Sequence, residues 1–268
     1  MKSPSRAFLS GEGPLAFAHR GGSLLWPENT LLAFEGAIKA GCRYLETDLH
    51  TTRDGVVVVF HDPRLERTTN GTGFLKELTL RELKRLDAGY HFTLDGRTFP
   101  HRDKGLTIPT FEELLELDAG ARFNVEIKQS DPPMVGALWR LIESRGLHDR
   151  LLVAASRDAL VREFRRASSG SVATSAGSNE GRLFWAASRV GLARFVPTPY
   201  DALQVPTTAG SLTVIDRRFV RAAHALGLQV HAWTIDDTDE MRRLLALGVD
   251  GIMSDRPDRL IEVFRTVR

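Results

Sequence analysis

The segment Tyr44-Leu-Glu-Thr-Asp-Leu-His50 decides how the rest of this chain is interpreted. Its apolar and polar residues alternate, which is typical of a β-strand because successive side chains point to opposite faces. Glu46, Asp48 and His50 therefore share one face of the predicted strand. An unpaired charge inside a protein costs several kcal/mol, so buried carboxylates need cationic partners. The segment thus predicts a strand that carries part of a charged site.

Short apolar runs alternate with helical patterns along almost the whole chain. This alternation predicts a parallel sheet covered by helices. Seven or eight such units in 268 residues favour a closed (β/α)8 TIM barrel, and a doubly wound open sheet is the alternative. The predicted strands are residues 15–19, 44–50, 56–61, 122–128, 151–155, 171–175, 202–205, 229–234 and 251–254, and the predicted helices include 30–40, 133–145, 159–167, 180–190, 216–226 and 237–247.

The strand–helix rhythm breaks between the third and fourth predicted strands. Thr79 with Glu82, and Thr110 with Glu113, match the capping-box pattern that begins a helix. Asn29 is the expected N-cap of the helix at residues 30–40. We therefore predict one catalytic barrel domain over residues 1–268, with a small insertion after the second-strand region at about residues 64–118.

The composition is that of an ordinary soluble globular protein, and it excludes some classes of partner. The chain has 36 Lys and Arg against 34 Asp and Glu, so no overall field favours nucleic acid or an anionic membrane. Its one cysteine, Cys42, excludes an internal disulfide and is expected to be buried. Residues 1–13 do not match a secretory signal, and no run is long enough for a membrane span. We predict a cytoplasmic protein, and the sequence leaves a homodimer open.

Charged side chains stand at the carboxyl ends of several predicted strands. His19 ends the first strand, His61 ends the third, and Glu126 lies near the end of the fourth. In a TIM barrel, sites form at this end because the lower interior is packed with side chains. The oxygens of Glu46, Asp48 and Glu126, with no cysteine nearby, indicate a hard divalent cation such as Mg²⁺ or Ca²⁺.

A purely structural role is the alternative for each of these residues. The carboxylates could pair with Arg20, Arg43 or Lys128, and a single histidine at a strand end is often only hydrogen-bonded. The convergence of two histidines, three carboxylates, an arginine and a lysine at four strand ends favours a functional site. The histidines without such company are expected to be structural: His50, His91, His101 and His231.

A series of short motifs follows the predicted strand ends in order along the chain. They include Ala18-His-Arg-Gly-Gly22, Pro27-Glu-Asn-Thr30, Glu46-Thr-Asp48, Phe60-His-Asp62, Asn124-Val-Glu-Ile-Lys128, Trp233-Thr234 and Gly248-Val-Asp-Gly251. From about Pro14 to Leu260, this ordered set resembles the glycerophosphodiester phosphodiesterase family.

The resemblance implies a TIM barrel with a small lobe inserted after the strand that carries His61. It implies hydrolysis of a small-molecule glycerophosphodiester to glycerol 3-phosphate and an alcohol, with one divalent cation, Mg²⁺ or Ca²⁺. The segment at residues 195–206 is the hardest to align with the family and is expected to shape the alcohol pocket. Carried over by motif, the implied roles are acid–base catalysis for His19 and His61, metal binding for Glu46, Asp48 and Glu126, phosphate contact for Arg20 and Lys128, and pocket lining for Trp233.

The chemistry of phosphodiester hydrolysis agrees with these residue types. A cation with an arginine and a lysine neutralises the phosphoryl oxygens, and two imidazoles that titrate near neutral pH can exchange the protons. The sequence does not assign the acid and the base, or decide between water and a substrate hydroxyl as the nucleophile.

Two other functions have to be weighed against this one. A related barrel phosphodiesterase could act on lysophospholipids or phosphoinositol compounds, and a long-chain substrate would need an apolar groove. The only hints of a groove are Phe92, Phe99 and Phe195, which are more often local packing under loops. A non-catalytic binding barrel would lack one of the predicted histidines or carboxylates, and none is missing.

Overall fold

The structure is a computed structural model, which describes residues 7–11 and 13–266 of the chain. The prediction that residues 1–13 are not a secretory signal therefore falls partly outside the described residues. The strands, in chain order, are β1 (Leu15–His19), β2 (Tyr44–Thr51), β3 (Val57–Val59), β4 (Arg122–Ile127), β5 (Leu151–Ala154), β6 (Ala173–Thr174), β7 (Ala202–Val205), β8 (Thr208–Ala209), β9 (Leu212–Thr213), β10 (Gln229–Ala232) and β11 (Gly251–Ser254).

Eight of these strands form a nearly closed parallel barrel within the described part of the chain. Their order in the sheet is β6-β5-β4-β2-β1-β11-β10-β7. A parallel bridge between Ser175 and Ala202 joins the two end strands. The predicted (β/α)8 TIM barrel is therefore confirmed, and the doubly wound open sheet is excluded.

Helices cover the outside of the barrel and connect its strands. The longer helices carry apolar residues at helical spacing, so that one face packs on the sheet, whereas α2 packs in the 64–118 region. The helices are α1 (Leu31–Ala40), α2 (Leu80–Leu83), α3 (Phe111–Leu115), α4 (Val135–Arg145), α5 (Asp158–Ala167), α6 (Ser178–Arg189), α7 (Arg217–His224), α8 (Thr238–Leu247) and α9 (Pro257–Thr266), with short 3-10 turns at Ala7–Leu9, Leu75–Glu77 and Ala193–Phe195.

The segment that was predicted as the third parallel strand does not enter the barrel. Only β3 forms there, and it pairs antiparallel with β2, with Leu49 opposite Val59. The chain reverses at Gly55, whose φ of 82° suits a tight turn, and a parallel strand would need a much longer crossover. This hairpin returns the chain toward the interior, because the Phe60 N–H donates to the Asp48 carbonyl at 2.9 Å. The hairpin therefore places His61 next to β2.

The predicted helix caps are partly confirmed. Both capping boxes are present, at Thr79 and at Thr110. The prediction that Asn29 caps α1 is wrong, because Thr30 accepts the capping hydrogen bond from the Ala33 N–H. Asn29 instead turns its amide inward to the charged strand β2, where a buried carboxylate and a hydroxyl need its hydrogen bonds.

The lower end of the barrel interior is filled by aromatic side chains. The rings of Phe8 and Phe17 stack at 6.4 Å, and Tyr44 packs edge-on against both. The Tyr44 hydroxyl donates to the Phe8 carbonyl, which fixes the N-terminal turn under the barrel. Because these rings fill the amino-terminal end of the barrel interior, the open space for a site lies at the carboxyl ends of the strands. Outside the barrel, Cys42 is buried at 2% exposure, as expected.

Residues 64–118 form a layer of short helices and loops after the β2–β3 hairpin, and its last helix, α3, packs into the main apolar core of the barrel. This layer has its own small apolar cluster, in which Leu65, Leu75 and Leu83 are fully buried. An isolated antiparallel bridge from Val58 to Thr110 ties it to β3. The division into one catalytic domain with an inserted lobe stays a prediction. No helix in residues 7–11 and 13–266 has the length and apolarity that a membrane crossing requires.

The packing predicts that Phe123→Ala strongly destabilises the protein. Phe123 is fully buried on β4, and its ring lies edge-on to Phe111 at 5.9 Å. Removal of a buried ring leaves a cavity and costs about 3–5 kcal/mol in the free energy of unfolding. Urea denaturation measures this, with Leu94→Ala as the control, because Leu94 is 69% exposed. An equal effect of the two substitutions would contradict the packing described here.

Candidate active site

Sheet register brings the predicted site residues together at the carboxyl ends of β1, β2 and β4. His19 lies beside Glu46 across the β1–β2 pair, and Asp48 lies beside Glu126 across the β2–β4 pair. Glu46 is 4% exposed and Asp48 is 1% exposed. Two carboxylates are therefore buried in adjacent positions on one face, as the alternation of β2 predicted.

Glu46 is the less compensated of these two carboxylates. Its Oε2 accepts a hydrogen bond from the Arg20 backbone N–H at 3.1 Å, and the His19 Nε2 lies 3.8 Å away. Burial and the adjacent Asp48 carboxylate raise the pKa of Glu46 well above its usual range. A cation bound beside these two carboxylates would reduce their mutual repulsion.

Asp48 is surrounded by cationic and polar groups. Lys128 Nζ lies 3.0 Å from Oδ1, and Arg20 Nε lies 3.3 Å from Oδ2. The Asn29 amide donates to Oδ2 at 2.9 Å and accepts from the Thr47 hydroxyl. Although burial opposes the charge, Lys128 and Arg20 hold the pKa of Asp48 below its usual range. Asp48 is therefore ionised at neutral pH.

Lys128 stands between two carboxylates of the site. Its Nζ donates to Glu126 Oε2 at 2.6 Å while it also contacts Asp48. Although burial opposes the charge, Asp48 and Glu126 raise the pKa of Lys128 above its usual range. Arg20 and Lys128 are therefore pairing partners of the carboxylates, whereas Arg43, the third candidate, is exposed at the start of β2.

Each of the two predicted catalytic histidines has a carboxylate at Nδ1. His19 Nδ1 lies 2.7 Å from Asp255 Oδ1, and His61 Nδ1 lies 2.5 Å from Asp62 Oδ1. A partner at Nδ1 fixes the ring and leaves Nε2 for the site. Burial disfavours the His19 cation, but Glu46 and Asp255 raise the pKa of His19 to about 9.

A chain of ion pairs connects Asp62, the carboxylate partner of His61, to Arg20, the residue predicted to contact the phosphate. Arg67 bonds to Asp62 at 2.5 Å and to both oxygens of Glu28 at 2.7 Å. Glu28 in turn accepts a hydrogen bond from Arg20 Nη1 at 3.0 Å. The position of the guanidinium of Arg20 is therefore set from two sides, by Glu28 and by Asp48.

Sequence reasoning gave no role to several residues that build this site. Asp62 is adjacent to His61 in the chain, so its position was a usable signal. Asp255 is 236 residues from His19, and nothing in the local pattern pairs them. The ion pair of Glu28 with Arg67 likewise joins two separate loops.

Trp233 and the remaining histidines have different surroundings. Trp233 follows β10, is 43% exposed, and lines a cavity of about 680 Å³ together with Glu126. His50 is buried and bonds to the His61 carbonyl and the Gln129 side chain, and His231 is buried between Gln204 and Gln229. His91 and His101 lie in the 64–118 layer, against Tyr90 and Phe92.

The donor set fits a hard divalent cation. Among the residues that the structure describes, no three His, Cys, Asp or Glu side chains converge as a preformed metal site, and Lys128 bridges two of the candidates. Even so, Glu46 and Asp48 are buried next to each other, and burial together with the Asp48 carboxylate raises the pKa of Glu46. Carboxylate oxygens in such a position are the donors that Mg²⁺ or Ca²⁺ prefers.

The fold and the site together define a TIM barrel with an acidic centre beside two histidines that each pair with a carboxylate. The model of the glycerophosphoryl diester phosphodiesterase family matches residues 19–259, and the chain belongs to this family. The resemblance seen in the sequence is therefore confirmed.

Relatives of known name and known structure cover nearly the whole chain. The probable glycerophosphodiester phosphodiesterase 2 of Mycobacterium tuberculosis is 35% identical over 266 residues, covering 97% of this chain and 94% of the relative. The glycerophosphodiester phosphodiesterase of Caldanaerobacter subterraneus is 34% identical, with 94% and 98% covered. A putative family member from Silicibacter pomeroyi superposes with a TM-score of 0.79 at 28% identity, covering 97% of this chain and 96% of that one. An Oleispira antarctica phosphodiesterase, solved with the product sn-glycerol-3-phosphate, gives 0.75 at 26% identity, with 94% and 97% covered.

The contacts of Asn29 predict that Asn29→Ala destabilises the protein more than Asn29→Gly. Both variants lose the amide bonds to Asp48 and Thr47, which costs about 1–3 kcal/mol. Asn29 has a φ of 57°, where alanine adds strain of about 1–2 kcal/mol and glycine adds none. Urea denaturation of the two variants separates the contributions, and equal stabilities would show that the backbone is not constrained there.

Proposed function

We propose that this protein hydrolyses glycerophosphodiesters to glycerol 3-phosphate and an alcohol, with one divalent cation and with His19 and His61 as the acid–base pair. The observation that carries the proposal is the pairing of both histidines with a carboxylate beside the buried Glu46 and Asp48. Family membership supports it, as does the product that the Oleispira relative binds.

The anionic substrate is held by groups already at the carboxyl ends of the strands. Glu46, Asp48 and Glu126 are the proposed ligands of Mg²⁺ or Ca²⁺, which when bound supplies Lewis-acid stabilisation of the phosphoryl oxygens. Arg20 and Lys128 are proposed to contact the same oxygens. Both remain cationic at neutral pH because, although burial opposes their charge, the carboxylates raise the pKa of each above its usual range.

The two histidines are proposed to exchange the protons that hydrolysis requires. One imidazole accepts a proton from the attacking hydroxyl, and the other donates one to the leaving alkoxide. The carboxylates of Asp255 and Asp62 each fix a ring through Nδ1, so Nε2 is the atom that faces the reaction. Asp62 and Asp255 thus act as positioning residues rather than catalytic ones.

The expected partner is a small molecule rather than a nucleic acid, since the net charge is only +2. Trp233 is proposed to line the pocket for this substrate. A cytoplasmic location and a homodimer stay predictions from the sequence.

We expect His19→Ala and His61→Ala each to lower kcat for glycerophosphocholine by about 10²–10⁴-fold, because each removes one proton transfer. The matched control is His148→Ala, since His148 packs against Trp139 before β5, at the opposite end of the barrel. Coupled detection of glycerol 3-phosphate measures turnover, and thermal unfolding tests whether the variants remain folded. A folded His61→Ala enzyme with normal turnover would rule out the assigned role.

Removal of divalent cations with a chelator is expected to abolish hydrolysis, and Mg²⁺ or Ca²⁺ is expected to restore it. Glu46→Gln should raise the metal concentration for half-maximal activity at least about tenfold, because it removes a ligand charge. Glu143→Gln is the control, since Glu143 is exposed on α4. Full activity in the presence of the chelator would contradict the metal assignment.

A further inference from the structure

A large apolar cavity adjoins the proposed catalytic centre. Its volume is about 680 Å³, and Glu126 both lines the cavity and contacts Lys128 of the centre. Pockets that enclose drug-sized molecules measure about 300–1,000 Å³, so this one exceeds what glycerol and a phosphate need. The cavity therefore has room for a substrate group larger than glycerol.

One wall of the cavity is a face of α6 that is kept open by small residues. The lining residues of this helix recur with helical spacing: Ser178, Gly181, Arg182, Trp185 and Ala186. Gly181 is buried in the helix, yet a β-carbon added there would meet no atom within 4 Å. Gly181 therefore borders open space inside the cavity rather than a packed contact.

The opposite wall is formed by the end of β7 and the β8–β9 hairpin. Val205, Pro206, Ala209 and Leu212 supply apolar surface there. The Trp185 indole N–H donates to the Thr213 carbonyl at 3.3 Å, which ties α6 to the hairpin. Among the described residues that line the cavity, the ionisable side chains are Glu126, at the catalytic centre, and Arg182, which is exposed.

We propose that this cavity binds a hydrocarbon chain of the substrate, so that the preferred substrates are lysophospholipids, glycerophosphodiesters that carry one acyl chain. This inference rests on the proposed phosphodiesterase function. Ser156, Ser175, Ser178 and Gln204 offer polar atoms to the cavity, but most of its lining is apolar. A polyol would leave hydroxyls without partners against the alanine, valine and leucine surface, whereas a methylene chain gains about fourfold in affinity for each group it buries there. Phe92, Phe99 and Phe195, the hints of a groove in the sequence, do not line this cavity.

The test compares glycerophosphocholine with 1-acyl lysophosphatidylcholines that carry hexanoyl, octanoyl and decanoyl chains, all below their critical micelle concentrations. Choline release reports turnover for every substrate in the series. We expect kcat/KM to rise with chain length, by at least about tenfold from glycerophosphocholine to the decanoyl compound.

Gly181→Leu places a side chain in the cavity and should lower the ratio of kcat/KM for decanoyl lysophosphatidylcholine to that for glycerophosphocholine by about tenfold or more. The matched control is Gly136→Leu, an exposed glycine of α4 outside the cavity, which should leave this ratio unchanged. Both changes replace a helical glycine by a better helix former, so neither is expected to unfold the protein.

The possible outcomes separate this inference from the proposed function. Turnover of glycerophosphocholine without a gain from the acyl chain would overturn the lysophospholipid assignment and leave the phosphodiesterase function intact. A preference for acyl chains that Gly181→Leu does not reduce would place the chain elsewhere and overturn the role of the cavity. Failure to cleave any member of the series would contradict the proposed function itself, and the inference with it.

Discussion

The burial of Glu46 and Asp48 side by side on β2 is the constraint on which the rest of the site depends. Strand alternation forces both carboxylates onto one face, and the barrel removes that face from water. Two adjacent anions with little solvent repel each other, so every element around β2 has to supply compensation. The turn after β1 supplies the backbone N–H and guanidinium of Arg20, and β4 supplies the ammonium of Lys128. The charged centre is therefore a property of the sheet register as much as of the residues.

The turn after β1 takes an unusual backbone conformation to provide that compensation. Arg20, Gly21 and Gly22 all have positive φ, at 50°, 83° and 107°. A left-handed conformation costs a residue with a β-carbon about 1–2 kcal/mol, so the fold holds Arg20 there against its preference. A β-carbon on Gly21 would lie 2.7 Å from the Cβ of Ala33, so only glycine allows α1 to pack this closely. The histidine–arginine–glycine–glycine motif is thus one geometric unit, in which the glycines permit the turn that aims Arg20 at the carboxylates.

The parts that the sequence predicted are those set by local patterns. The face shared by Glu46 and Asp48 follows from period-two alternation, and the capping boxes at Thr79 and Thr110 follow from hydrogen bonds within four residues. The residues that it missed depend on tertiary contacts. Thr30 caps α1 in place of Asn29, because the Asn29 amide is hydrogen-bonded to the buried carboxylate of Asp48. The apolar residues before His61 are compatible with either a parallel or an antiparallel strand. The short connection at Gly55 makes the pairing antiparallel, and the pattern of apolar residues contains no information about connection length. The cavity is lined from separate elements, so no single window of sequence reveals it.

The charged centre and the apolar cavity are built from different strands of the barrel. The residues around the buried carboxylates come from β1, β2 and β4 and from the turn and hairpin next to them, whereas the cavity walls come from β5, β6, β7, α6 and the β8–β9 hairpin. Glu126 belongs to both, because it lines the cavity and pairs with Lys128 of the charged centre. A change in the cavity wall therefore alters volume and polarity without disturbing the ion pairs of Asp48 or the carboxylate partners of His19 and His61. Because each parallel strand contributes its own loop at this end of the barrel, the shape of the cavity can change while the charged centre stays the same. If the cavity binds part of the substrate as proposed, substrate preference depends on residues outside the catalytic motifs, including Val205 and Pro206 in the segment that aligned least well with the family.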